Sequence, residues 1–292
     1  MGQGCSGNTV AADDVLLIRE TGLSIPVHMT KRLGWKKDIP DFRDRILALP
    51  ASKKENLPPK VDLRPAEHFP IYDQGELGSC TANAIGAAFH FDQVREGITD
   101  FTPSRLFIYY NERAMEGNIE QDAGAYIRDG IKSVNKLGVC NEHEWPYVES
   151  KFTHKPSKQS YEDALKTKAT EYARVPQTLE DMKACLNEGY PFVFGFVVMS
   201  SFQFPNVAAT GQMQMPGPYD FVMGGHAVQA CGYDDKKQVF IVRNSWGKHW
   251  GDQGYFYMPY AYITNPGLAE DFWMIRFVEG PELPTKAMSP LA

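Results

Sequence analysis

The chain is short of cysteine, of long apolar stretches and of positive charge. Five cysteines in 292 residues are too few, and odd in number, for a disulfide-dense scaffold. At least one sulfur must stay unpaired or bond to another chain. The longest apolar stretch, 190–199, falls well below the ~20 residues that cross a bilayer. Thirty Lys and Arg against 36 Asp and Glu leave a net charge of −6, which excludes a general electrostatic footprint for nucleic acid. No Asn-x-Ser/Thr sequon, internal repeat or low-complexity tract occurs. The opening MGQGCSGNTV has neither the basic nor the apolar region of a secretory signal.

What is present is globular: 43% apolar and 23% charged residues. At ~100–200 residues per domain, the length allows one large or two modest domains. Gly2 and Ser6 stand at the positions of an N-myristoylation motif, with Cys5 as a palmitoyl candidate. Small residues meet that pattern readily by chance, so a plain tail is the stronger reading, and membrane contact is expected only if Gly2 is acylated. The expected location is the cytoplasm, or outside it by a route without a cleavable signal, such as injection into a host. Pro and Lys crowd 50–60 (PASKKENLPPK), which marks an exposed linker.

From Ser79 the period is helical. Ala82, Ile85, Ala88 and Phe89 form a stripe with Ala84, Gly86 and Ala87 between them, as in a buried central helix. Further helices are expected after Pro103, over 125–137 and over 178–187. Strands are expected at Phe192–Met199, 226–233, Val239–Arg243, 255–258 and 272–277. Helices first and strands later predict an α+β chain in two segregated halves, with a cleft between them as the place for a site.

Cys80 follows Gly78-Ser79 at the start of the small-residue helix. A helix N-terminus favours the thiolate, the nucleophilic form. A thiolate needs a partner to handle the proton, and His226, after Gly224-Gly225, is the best placed. A turn centred between Asp235 and Lys236 makes paired residue numbers sum to about 471, putting His226 opposite Ser245 and Asn244 opposite Ala227. The Asn244 oxygen would then fix the His226 ring and its tautomer. Gln74 could donate its amide N–H to an oxyanion beside the Cys80 backbone N–H.

These segments resemble the papain-like cysteine peptidases, and most closely their bacterial branch of the xylellain kind. The resemblance is carried by Gln74-Gly75-Glu76-Leu77-Gly78-Ser79-Cys80, by Gly224-Gly225-His226-Ala227-Val228, and by Asn244-Ser245-Trp246-Gly247 continuing to Gly254-Tyr255. Leu57-Pro58-Pro59-Lys60-Val61-Asp62 is similar to the mature N-terminus of that family. The resemblance implies Cys80 as nucleophile, His226 as general acid/base, Asn244 as orienter, Gln74 as oxyanion donor and Trp246 as a shield over the Asn244–His226 hydrogen bond. It implies a left helical lobe, mainly 72–165, and a right antiparallel, barrel-like lobe, mainly 166–262, within a peptidase domain at 57–280. Residues 1–56 would be a propeptide-like, zymogen-like restraint and 281–292 a tail.

An extended peptide or protein substrate would contact Gly78, Ser79, Gly124, Ala125, Gly224 and Gly225. Gly225 leaves room for a bulky apolar or aromatic side chain in the second subsite, while no residue of loop 264–271 is assigned to that pocket's floor. Leu77 and Thr81 depart from the Cys and Trp that the family usually has there. Cys140, Cys185 and Cys231 read as buried thiols. Cys140 and His143 lack a second ligand pair, so no metal and no cofactor is expected. A monomeric endopeptidase is expected. The alternatives are a Cys-His acyltransferase or amidase, or a catalytically silent protein-binding relative.

Overall fold

The computed structural model describes residues 15–18, 23–26, 32–98 and 100–279, with side chains between 32 and 276. Gly2, Cys5 and Ser6 of the acylation-like start, and the tail 281–292, lie outside the described residues. The first described elements are the antiparallel pair β1 (Val15–Ile18) and β2 (Leu23–Pro26), then the two-residue strand β3 (Trp35–Lys36). The Pro/Lys-rich linker forms a single exposed 3-10 turn at Ala51–Lys53, after which β4 (Lys60–Asp62) joins the main sheet.

The first half of the domain is helical. In α1 (Cys80–Glu96) every residue from Cys80 to Gln93 is buried, so it runs through the interior rather than along the surface. Its alanines and Gly86 allow close approach from several sides. It ends at Gly97, in the left-handed conformation at φ 67°, whose N–H reaches back to the Gln93 and Val94 carbonyls. The helix expected after Pro103 is α2 (Arg105–Glu116), capped by Ser104, whose hydroxyl accepts from the Phe107 N–H. The short strand β5 (Ala125–Tyr126) precedes α3 (Ile127–Lys136), and α4 (Lys158–Ala164) closes the helical half.

The second half is a seven-stranded antiparallel sheet. It contains β6 (Lys168–Arg174), then, after α5 (Leu179–Asn187), β7 (Phe192–Met199). After α6 (Pro205–Thr210) follow β8 (Val222–Asp234), β9 (Val239–Arg243) and β10 (Tyr255–Pro259). The short α7 (Tyr260–Ile263) leads into β11 (Ala269–Glu279). The spatial order is β10-β9-β8-β7-β11-β6, with β4 also paired to β8. Alternation along β7 sends Phe192, Phe194 and Phe196 into the core of the sheet half, while Val193 faces the core beneath Cys80 with Ile85, Phe89 and Trp273. Burial on both faces explains the unbroken apolar run in the sequence.

The hairpin of β8 and β9 departs from the expected register. Asp234 pairs with Val239 and Tyr233 with Phe240, so the turn is centred one residue later, with Gln238 at φ 56° absorbing the reversal. A bulge at Cys231 then shifts the pairing, giving Gln229 opposite Arg243. Asn244 has already left the ladder, and its N–H donates to the Gly254 carbonyl. His226 is therefore not cross-strand to Ser245, and the two site residues meet through side-chain reach.

Arg243 fixes the end of β9. Its buried guanidinium donates to Glu67 Oε2 at 3.0 Å, to the Tyr255 hydroxyl at 3.1 Å and to the Pro70 carbonyl. Replacing one partner of such a pair strands the other charge in the interior. Glu67→Ala is expected to cost about 3–5 kcal/mol of stability, read as a lower urea midpoint. An unchanged midpoint would show that Arg243 does not depend on the pair.

Candidate active site

The first turn of α1 places Cys80, and β8 and the segment after β9 place the groups around it. Cys80 is fully buried. Burial pushes its thiol up to about 12, against the backbone N–H groups of Ala227 and Gly34, which favour the thiolate; Glu112 pushes it further up and the Thr81 N–H opposes. Ala227, whose N–H acts on the Cys80 sulfur, follows His226 in strand β8.

The His226 Nε2 lies 2.8 Å from Asn244 Oδ1. That oxygen also accepts from the Ser245 N–H at 2.8 Å, so it is the acceptor end of the amide. Nε2 therefore carries the proton, and Nδ1 is left bare, buried and without a hydrogen-bond partner among the described residues. Burial depresses the His226 imidazole to about 4, with the Asn244 hydrogen bond opposing. Trp246 stacks on the ring at a centroid distance of 4.7 Å and Phe196 meets it edge-on at 5.8 Å. Trp246 thus closes one side of the His226–Asn244 contact against water.

Gln74 is buried and its side chain is held at both ends. Oε1 accepts from the Ser245 hydroxyl at 2.7 Å, while Nε2 donates to the Leu77 carbonyl at 2.8 Å and to the Arg32 carbonyl at 3.2 Å. Arg32 belongs to the segment before the linker, and that segment occupies the cleft. The Gly34 N–H donates to the Gly225 carbonyl at 3.0 Å, and the Gly34 carbonyl accepts from the Ala125 N–H at 2.8 Å. β3 pairs in parallel with β5. A side chain at position 34 does not fit: its Cβ would lie 1.8 Å from the Gly78 carbonyl oxygen.

The Trp35 indole fills a pocket beside Gly195 and Gly225, where a Cβ on either glycine would overlap it. Its Nε1 donates to Asp271 Oδ2 at 3.1 Å. The segment is anchored further along by Asp38, which accepts from Trp273 Nε1 at 2.9 Å and pairs with Arg174 at 2.8 Å. Arg174 also pairs with Asp44 and Asp271. Burial, then the neighbouring Asp271 carboxyl, pushes Asp38 up to about 6.

The structure therefore gathers Cys80, His226, Asn244, Gln74 and Trp246 around one cleft, with Gly78, Gly124, Ala125, Gly224 and Gly225 against residues 33–35. The Ser79 hydroxyl contacts Tyr147 at 2.5 Å and the Asn83 amide at 3.0 Å. The sequence reading assigned no role to Gly34, Trp35 or Asp271. The one local signal is a Gly-Trp pair in a stretch with no helical period.

Residues 57–274 match the Papain family cysteine protease model. The structure superposes on the crystal structure of xylellain, a cysteine protease from Xylella fastidiosa, with a TM-score of 0.81 and 48% identity, over 84% of this chain and 96% of that one. An uncharacterized peptidase C1-like protein of Acanthamoeba polyphaga mimivirus is 43% identical, with 87% of this chain and 89% of the relative covered. Cathepsin B-like CP2 of Giardia intestinalis is 30% identical, with 70% of each covered. The fold and the matches define a cysteine peptidase. The chain belongs to the papain family, with the α+β fold of that family and peptide substrates.

His226 supplies a pH test. A depressed folded pKa means that the unfolded chain takes up the proton first, so this contribution to stability is full above about 6.5 and is lost as pH falls towards about 4. In the full-length chain, the imidazole resonances of His226 are expected to show no protonation until pH nears 4. Titration at the unperturbed value would show that the ring is hydrated.

Proposed function

We propose that this peptidase is an endopeptidase working through an acyl-thioester on Cys80 and restrained by its own N-terminal segment. The supporting observation is the hydrogen bond between His226 and Asn244: with Nε2–H committed there, Nδ1 is left as a free base, buried and without a partner among the described residues. Nδ1 takes the Cys80 proton, and the thiolate attacks the substrate carbonyl carbon. The oxyanion then accepts from Gln74 Nε2 and the Cys80 N–H. His226 returns the proton to the leaving amine as the thioester forms. Water, deprotonated by the same nitrogen, later releases the acid.

The segment opposes each step. The Arg32 carbonyl sits on Gln74 Nε2, the donor meant for the oxyanion. Gly34 covers Cys80, and Trp35 fills the pocket that a substrate side chain would enter. By keeping water out, the segment also holds thiol and imidazole neutral, because burial disfavours the charged form of both. Departure of the segment admits water and allows the thiolate–imidazolium pair.

Cys80→Ser is expected to lower kcat on a fluorogenic peptide by at least ~10⁴-fold, and an epoxysuccinyl inhibitor to label Cys80 stoichiometrically. Activity retained in Cys80→Ser would reject the nucleophile. Gly34→Ala, which cannot sit against Gly78, and Trp35→Ala, which empties the pocket, are each expected to speed labelling of Cys80 at least ~10-fold over the unaltered chain. Equal rates would reject the restraint.

The pocket floor, Asp271, favours a bulky side chain carrying an N–H donor. Asp271→Ala in the Gly34→Ala background is expected to reduce the preference for Trp over Phe at that subsite by about tenfold, the worth of one hydrogen bond to a carboxylate. A cleavage profile unchanged across a peptide library would remove Asp271 from the subsite.

A further inference from the structure

Beside Asn244 lies a cavity of about 10 Å³, walled by α1, β8 and the residues at the end of β9. Its polar lining is almost fully engaged. Asn83 donates to Ser79 and accepts from Arg105 at 3.0 Å, Tyr72 bonds to His90 at 3.0 Å, Arg243 is held by Glu67, and the Ser245 hydroxyl donates to Gln74. Two side chains are the exceptions. Gln229 is fully buried with neither end of its amide hydrogen-bonded among the described residues, and the Nδ2 of Asn244 is buried and equally without a partner. Leaving such groups unpaired in the interior forfeits the hydrogen bonds they make to water in the unfolded chain. A space this size, lined by polar groups, holds one water molecule.

We propose that Gln229 is a positioning residue for Asn244, acting through one interior water. The water accepts from Asn244 Nδ2–H and donates to Gln229 Oε1, with the Ser245 hydroxyl oxygen as a further acceptor. This gives the Asn244 amide different neighbours at its two ends. Oδ1 faces two donors, His226 Nε2–H and the Ser245 N–H, while Nδ2 faces an acceptor. Turning the amide over would set Nδ2–H against both donors and the water's acceptor side against an oxygen. The backbone contact to Ser245 alone tethers one atom, whereas the water fixes the rotation about the last side-chain bond. Gln229 projects from the same strand as His226, so ring and amide are referenced to one rigid element.

The proposal rests on the roles given above to His226 and Asn244, but its test reads geometry and not turnover, so it stands or falls separately from them. In the full-length chain, the nitrogen-attached proton of His226 Nε2 is followed by NMR in the unaltered protein and in Gln229→Met, which keeps the side-chain volume and removes both polar ends. Loss of the bridge is expected to raise the solvent exchange rate of that proton roughly fivefold to tenfold, the worth of one ordinary hydrogen bond. The unfolding midpoint should stay level or rise, because a buried polar group has gone. An unchanged exchange rate in a folded Gln229→Met would overturn the positioning role. A crystal structure of the unaltered chain at atomic resolution provides the second measurement. Density for a water within hydrogen-bonding distance of Asn244 Nδ2 and Gln229 supports the bridge, and a dry cavity or a direct contact between the two amides rejects it.

Discussion

Exclusion of bulk solvent from the hydrogen bond between His226 and Asn244 is the constraint on which the rest of the cleft depends. A neutral hydrogen bond between an imidazole and an amide is worth little when both can bond to solvent, and much more in a dry interior. Here both side chains are buried, with the Trp246 indole stacked on the ring. Trp246 is itself wedged by Trp250 and Phe202, which pack on Phe256 of β10. The aromatic rank of the sheet half is thus the lid of one polar contact. Arg243 serves the same end, because the Glu67 pair anchors the strand from which Asn244 emerges.

In the proposed function, dryness lets chemistry and restraint share one set of residues. The proposed reacting ion pair and the neutral pair of the covered site differ only in how much water reaches them. Residues 32–35 use the backbone groups of the cleft, Gly225 on one side and Ala125 on the other, and so occupy it in the extended form that a peptide would take. Gly34 is the point of closest approach, a place where one methyl group does not fit. Beyond it the contacts become polar, through Asp38, Asp44 and Arg174, and stabilise the segment without entering the cleft.

Much of this was legible in the sequence. Phe192–Met199 and Val239–Arg243 form strands over the expected residues, and the small-residue run after Ser79 is the buried α1, because each carries a strong local pattern. Cys80, His226, Asn244 and Gln74 could be selected because ordered motifs surround them. The register was not legible: a turn of four residues moved the pairing by two and a bulge at Cys231 took one back, and neither has a local signature strong enough to fix it. β6 and α4 were missed, since Lys168–Arg174 has only one fully buried residue and takes its strand state from pairing with β11. Trp35 and Asp271 lie 236 positions apart and acquire meaning only when the fold brings them together.

The link between Trp35 and the domain is covalent, running through the linker 50–60 into β4. A tethered occupant does not compete at its bulk concentration but at an effective one, on the order of millimolar for a flexible connection. On the proposed restraint, a substrate that takes the Trp35 pocket competes against that local concentration whatever the dilution of the enzyme. One cut in the exposed turn at Ala51–Lys53 changes this condition without touching the cleft. The same contacts then hold a separate peptide, whose occupancy falls as the solution is diluted.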